Sequence, residues 1–104
     1  MGEFVGWVGP PQIHDGVIEQ VDSGPDLVVV SLRADGGRGP VLRVEFDEPG
    51  AVDQNRAIGM TLYGLAEVTS ETERRRFSFV NWEETDDARL ELEARAVRWS
   101  TDAG

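Results

Sequence analysis

The stretch Leu27–Arg33 constrains this chain most, because Leu27, Val28, Val29, Val30 and Leu32 make it apolar at both alternating sets of positions. Three successive valines are stiff at χ1 and fit a pleated surface better than a helix. The stretch is therefore expected as an internal β-strand in the middle of a sheet, with apolar neighbours on both sides. Downstream, Asp35, Gly36, Gly37, Arg38, Gly39 and Pro40 supply the positive-φ positions of a chain reversal. Val41–Phe46 then alternates cleanly, with Leu42, Val44 and Phe46 on one face. These two strands form a hairpin from which a sheet can grow.

The flanking segments extend the pattern. Residues 1–12 carry Phe4, Val5, Trp7 and Val8 among glycines before Pro10 and Pro11, and read as an irregular arm anchored by Trp7. Val17–Val21 is expected as the first strand, and Asp22–Asp26 as a turn by composition. Asp47–Gly50 ends the third strand, and Ala51–Gly59 has no convincing period, reading as a connection with at most a short helical turn. Met60–Val68 alternates, with Met60, Leu62, Ala66 and Val68 on one face and a kink at Gly64. Phe77–Trp82 is aromatic-rich, with an apolar side that changes near Phe79 and Val80 as a bulge would cause.

The segment 86–99 is ambiguous, because its Ala, Leu, Glu and Arg favour a helix and Thr85 could cap one. Against that, Ala88, Leu90, Leu92, Ala94 and Ala96 alternate with Arg89, Glu91, Glu93 and Arg95 without exception. A period of 3.6 would put Leu90 and Leu92 on nearly opposite sides of a helix. A strand is expected, with helix as the alternative, and Val97 and Trp99 break the alternation at a bulge or an exit from the sheet. Residues 100–104 read as a disordered tail. The expected class is all-β: about six antiparallel strands in a meander, rolled into a small sandwich or partly open barrel, as a single domain over 1–104.

Composition narrows the chemistry. With no cysteine, thiolate nucleophiles, thiolate metal sites and disulfides are excluded. The N-terminal residues lack the basic and apolar regions of a signal peptide, so cytoplasm is the default expectation. A net charge of −10 repels nucleic acid and anionic membrane and favours a basic protein partner, although solubility is the simpler reading of such acidity. A homodimer through an exposed strand edge is a further reading.

Candidate reactive groups are sparse. His14 and Asp15 adjoin, as a tautomer-setting or metal-sharing pair would, although neighbours in a strand point to opposite faces. A structural hydrogen-bonding role for this sole histidine is the simpler expectation. The acidic runs supply Glu45, Asp47 and Glu48, and then Glu83, Glu84, Asp86 and Asp87, but neither has the ligand spacing of a calcium loop. No metal or cofactor is expected, and no catalytic residue stands out. Gly36–Gly39 precedes a strand rather than a helix and is a turn, not a phosphate cradle. Arg74, Arg75 and Arg76 could grip a phosphate or carboxylate ligand, but pairing with nearby Glu71 or Glu73 or with the acidic turn is the simpler expectation. Trp7, Trp82 and Trp99 are expected as lids on the core, with interface anchoring as the other reading.

Taken in order, Trp7, Ile13–Gly16, Leu42–Phe46, Leu62–Leu65 and Ala88–Ala94 resemble small bacterial β-proteins of uncharacterised families, some grouped with the immunity proteins of polymorphic toxin systems. The resemblance implies an intracellular, non-enzymatic protein that binds and blocks a cognate toxin. The acidic surface suits a basic toxin, and the two acidic runs with His14 and Asp15 are then the candidate contact residues. The alternatives are a small ligand-binding or hydrolytic barrel using His14 and Asp15, and a structural homodimer.

Overall fold

The computed structural model describes residues 3–83 and 85–102. Among them are nine strands: β1 Phe4–Trp7, β2 Val17–Ser23, β3 Leu27–Arg33, β4 Val41–Asp47, β5 Val52–Asn55, β6 Leu62–Val68, β7 Arg75–Asn81, β8 Arg89–Ala94 and β9 Ala96–Asp102. They form two antiparallel sheets, ordered β1-β6-β7-β8-β5 and β2-β3-β4-β9. The chain is all-β, and the sheets make a sandwich rather than a closed barrel. No helix among the described residues is long and apolar enough to cross a membrane.

Period-two patterning explains the interior. Val28, Val30 and Leu32 of β3, Leu42, Val44 and Phe46 of β4, Phe77 and Phe79 of β7, and Leu90, Leu92 and Ala94 of β8 are all buried in one cluster. Phe46 sits at its centre, with ring centroids 5.3 Å from Phe77 and 5.8 Å from Phe79. Strand β3 is internal, paired to β2 and β4 along its length. Its other face is covered only in part. Val29 and Ser31 border a shallow polar groove with Asp22, Arg43 and Glu45, so the expected apolar cover on both sides exists on one side only.

The hairpin after β3 turns through Ala34–Gly37, with Asp35 and Gly36 in the left-handed region at φ 52° and 62°. Segment 86–99 is extended, and no helix starts at Thr85. The break in its alternation is an exit: β8 ends at Ala94, Arg95 turns the chain, and β9 pairs with β4 in the other sheet, Val97 opposite Phe46 and Trp99 opposite Val44. One residue thus carries the chain between the two layers.

Three expectations are corrected at the sheet edges. The arm 1–12 contains β1, which pairs with β6, because backbone bonding rather than burial defines this edge strand. Ala51–Gly59 contains β5, an edge strand whose polar residues face solvent and so show no apolar period. Ser100–Asp102 of the expected tail belong to β9, opposite Arg43, Leu42 and Val41; Ala103 and Gly104 lie outside the described residues. The bulge expected within Phe77–Trp82 falls instead in β6, at the expected kink, where the register shifts between Leu62 and Gly64. That shift sends both Leu62 and Leu65 into the core, whereas Ala66 is buried apart from it, beside Trp7 in the ladder.

Candidate aromatic binding site

The site begins where Pro10 and Pro11 force the chain out of β1. Pro11–Ile13 makes a single 3₁₀ turn with proline at its start, where the missing N–H costs nothing. Ile13 is buried beneath it. The His14 N–H closes the turn on the Pro11 carbonyl at 3.1 Å, and Asp15 then adopts φ 66°, a left-handed conformation that aspartate tolerates. Its N–H donates to the Leu62 carbonyl at 2.9 Å, tying the segment to β6.

This turn, not a strand, carries the histidine pair, so the expectation of opposite faces fails: His14 Nε2 lies 3.8 Å from Asp15 Oδ1, and both side chains are half-exposed. The separation is too long for a hydrogen bond. On its other side, His14 Nδ1 is 2.8 Å from the Tyr63 carbonyl oxygen. A carbonyl only accepts, so Nδ1 is the donor in this contact.

Around His14 the structure assembles a group of rings. Phe4 packs edge-on against Trp7 at 5.1 Å, Trp7 against Tyr63 at 5.5 Å, Tyr63 against both His14 at 5.3 Å and Trp82 at 5.7 Å, and His14 against Trp82 at 5.3 Å. Such offset and edge-on arrangements are the favourable ones for aromatic pairs. Yet Phe4, Trp7, Tyr63 and Trp82 are 57, 55, 48 and 46% exposed. Trp7 and Trp82 are therefore surface residues and not core lids; Trp99, 46% exposed beside Gly9, is no lid either.

Two irregularities make the group possible. The register of β1 shifts between Phe4 and Gly6, and that of β6 between Leu62 and Gly64, each re-aiming a side chain as bulges do. Trp7 then lies over Gly64: a Cβ there would come within 2.8 Å of the indole. Between the turning arm and β6 lies an open cleft of about 380 Å³, bordered by Trp7, Val8, Pro10, His14 and Tyr63, with no arginine on its walls.

The acidic candidates do not form one site. Glu45 and Asp47 both face Arg98, at 3.4 and 2.9 Å, and Glu48 faces Arg95 at 3.7 Å. In the other run, Asp86 meets Arg56 at 3.1 Å, and Asp87 pairs with the same arginine. Hydrogen bonds from Asn81, then from the Ala88 N–H and Arg56, hold the Asp86 carboxyl below its ordinary value. The Glu83 N–H donates to Asn81 Oδ1 at 2.9 Å, and Glu84 lies outside the described residues. Strand β8, six residues or roughly 20 Å long, separates the two runs, so they occupy opposite ends of the sandwich. His14 and Asp15 join the Glu83–Asp87 end through Trp82. Among the described residues, no group of three histidine or carboxylate side chains could hold a metal ion.

Arg75 and Arg76 of the arginine run do pair with carboxylates, but with partners across the sheet rather than Glu71 or Glu73, and Arg74 bonds a backbone carbonyl. Arg75 grips Glu67 with two bonds, Nη2 to Oε1 at 2.7 Å and Nε to Oε2 at 3.1 Å, and lies over the Phe77 ring at 5.1 Å. That grip lowers the Glu67 pKa and raises that of Arg75. Arg76 lies 3.5 Å from Glu91, and Arg74 Nε donates to the Glu48 carbonyl at 2.9 Å.

Phe4, Tyr63 and the prolines were not candidates from sequence; for Tyr63 the signal is its place opposite Leu62 in the alternation, which turns an aromatic residue outward, while the bulge at Gly64 returns Leu65 to the core. Comparison with protein-family models, with curated proteins and with solved structures finds no match to this chain in any of the three.

Proposed function

We propose that this chain is a protein-binding domain without catalytic residues of its own, which engages a basic partner in the manner of an immunity protein blocking a toxin. The observation that carries this reading is the group of exposed rings, Phe4, Trp7, Tyr63 and Trp82 around His14, on a molecule of net charge −10. Tryptophan and tyrosine dominate the binding energy of interfaces, and a patch of this kind left in water is costly to solubility unless something covers it. The surrounding negative field speeds encounter with a cationic protein and discourages acidic ones. The acidic runs then act as a long-range field and not as a contact site, since Arg98, Arg95 and Arg56 already pair with them.

Co-expression with the basic products of neighbouring genes tests the proposal. It expects protection of the host cell and a complex whose Kd weakens steeply with salt; absence of both for every neighbour would refute it. A second reading, ligand binding or hydrolysis at His14 and Asp15, draws on the cleft that His14 borders. It expects His14→Ala to abolish turnover or ligand affinity with the circular dichroism spectrum retained, and unchanged behaviour across a substrate and ligand screen counts against it.

A further inference from the structure

We infer that the cleft between the Trp7–His14 segment and Tyr63 receives an arginine or lysine side chain of the basic partner; this rests on the protein-binding reading above and names its central contact. Trp7 and Tyr63 stand at 47° to one another with centroids 5.5 Å apart, so together they form a wedge rather than a flat platform. Rings this close leave no gap between them, so a guanidinium or ammonium group seats at the mouth of the wedge, in the cleft that both rings border, with its methylene stem along Val8 and Pro10. The volume of about 380 Å³ is at the small end of ligand pockets and suits one long side chain, not a packed helix.

Aromatic walls alone would accept any apolar group, and charge selects among them. No arginine lines the cleft, the chain contains no lysine, and the half-exposed Asp15 carboxylate stands 3.8 Å from His14 at its border. A cation entering here meets no positive side chain on the walls, and the Asp15 carboxylate, behind His14 rather than on the wall, adds its negative charge to the field at the cleft. A second copy of this chain is a poor occupant by the same reasoning, because two bodies of charge −10 repel.

The probe is the peptide acetyl-Ala-Ala-Arg-Ala-Ala-amide, titrated into the full chain at low ionic strength, with citrulline and norleucine replacing arginine in two control peptides. Nuclear magnetic resonance reads the indole N–H of Trp7 and the backbone amides of Val8, His14 and Tyr63. Those signals are expected to move with the arginine peptide, and affinity to fall about twofold to fivefold with citrulline, the range of one exposed cation–π contact. Amides of Val29, Ser31 and Arg43, beside Asp22 and Glu45 in the polar groove of the other sheet, are expected to stay still. Trp7→Leu, checked for retained fold by circular dichroism, is expected to remove the response. Equal affinity for norleucine, equal movement in the polar groove, no movement at millimolar peptide, or a concentration-dependent dimer that broadens the same signals would each overturn the inference.

The two readings fail separately. If a neighbouring gene product binds the chain with a Kd that Trp7→Leu leaves unchanged, the cleft assignment is wrong and the binding function stands. If the arginine peptide seats at Trp7 but no neighbouring product binds, the cleft assignment stands and the choice of partner is wrong.

Discussion

Alanine at position 64 is the sharpest local probe of the aromatic group. A Cβ on Gly64 would lie 2.8 Å from Trp7 Cζ3 and 2.9 Å from Cε3, and the indole must move outward by most of an ångström to restore ordinary contact. The ring is 55% exposed, so it can swing away, but doing so loosens its packing on Tyr63 at 5.5 Å, worth about 0.5–1.5 kcal/mol. Against this loss, alanine in a strand is favoured over glycine by roughly 0.5–1 kcal/mol. In the native background the two effects nearly cancel, leaving Gly64→Ala neutral or mildly destabilising. In a Trp7→Leu background the obstacle is gone, and the same substitution should stabilise by the full backbone gain. The double-mutant cycle therefore predicts a coupling of about 1 kcal/mol between positions 7 and 64. Urea unfolding followed by far-ultraviolet circular dichroism, which does not depend on the removed indole, measures it. An unchanged effect of Gly64→Ala in the two backgrounds would mean that Trp7 does not cover Gly64, and the wedge proposed as a cation site would lose one wall.

Other expectations concern the frame that holds the site. Phe46→Ala should cost about 3–5 kcal/mol, because a fully buried ring between Phe77 and Phe79 leaves a cavity its neighbours cannot fill; a thermal melt lowered by less than about 5 °C would argue against a core centred there. Ending the chain after Trp99 removes the pairing of Ser100, Thr101 and Asp102 with β4 and should cost about 1–3 kcal/mol in urea unfolding, whereas a disordered tail would cost nothing. Glu67 has its pKa lowered in the folded state by its bond to Arg75, so the stability it contributes is complete above the unfolded carboxylate value of about 4.3 and is lost as pH falls through the lower folded value. Glu67→Gln should therefore shrink the difference in urea midpoint between neutral and strongly acidic solution, and an unchanged difference would contradict the pairing.

What the sequence made legible was the burial pattern. Val28, Val30 and Leu32, Phe77 and Phe79, and Leu90 and Leu92 occupy the interior because period-two alternation in the middle of a sheet has one stable reading. The edges were opaque for the same physical reason. Phe4–Trp7 and Val52–Asn55 are strands by backbone pairing alone, and a half-exposed strand leaves no hydrophobic period to read. His14 and Asp15 were found as a pair, but their geometry follows from the positive φ of Asp15 and from a carbonyl of Tyr63, 49 residues away. The acidic runs looked like a site because they are dense in sequence. Their division between opposite ends of β8, and their arginine partners from β9 and the β5–β6 connection, depend on long-range pairing that composition does not carry.

Ring-to-ring nuclear Overhauser contacts test the account most directly, since its central claim is that the sandwich closes its core without these aromatics and leaves them grouped in water. Cross-peaks are expected between Trp7 and Tyr63, Tyr63 and His14, and His14 and Trp82, with the Trp7 and Trp82 indole N–H groups exchanging rapidly with solvent. Cross-peaks from Trp7 to Phe46 or Phe77, together with a slowly exchanging indole, would place that ring in the core and contradict the claim.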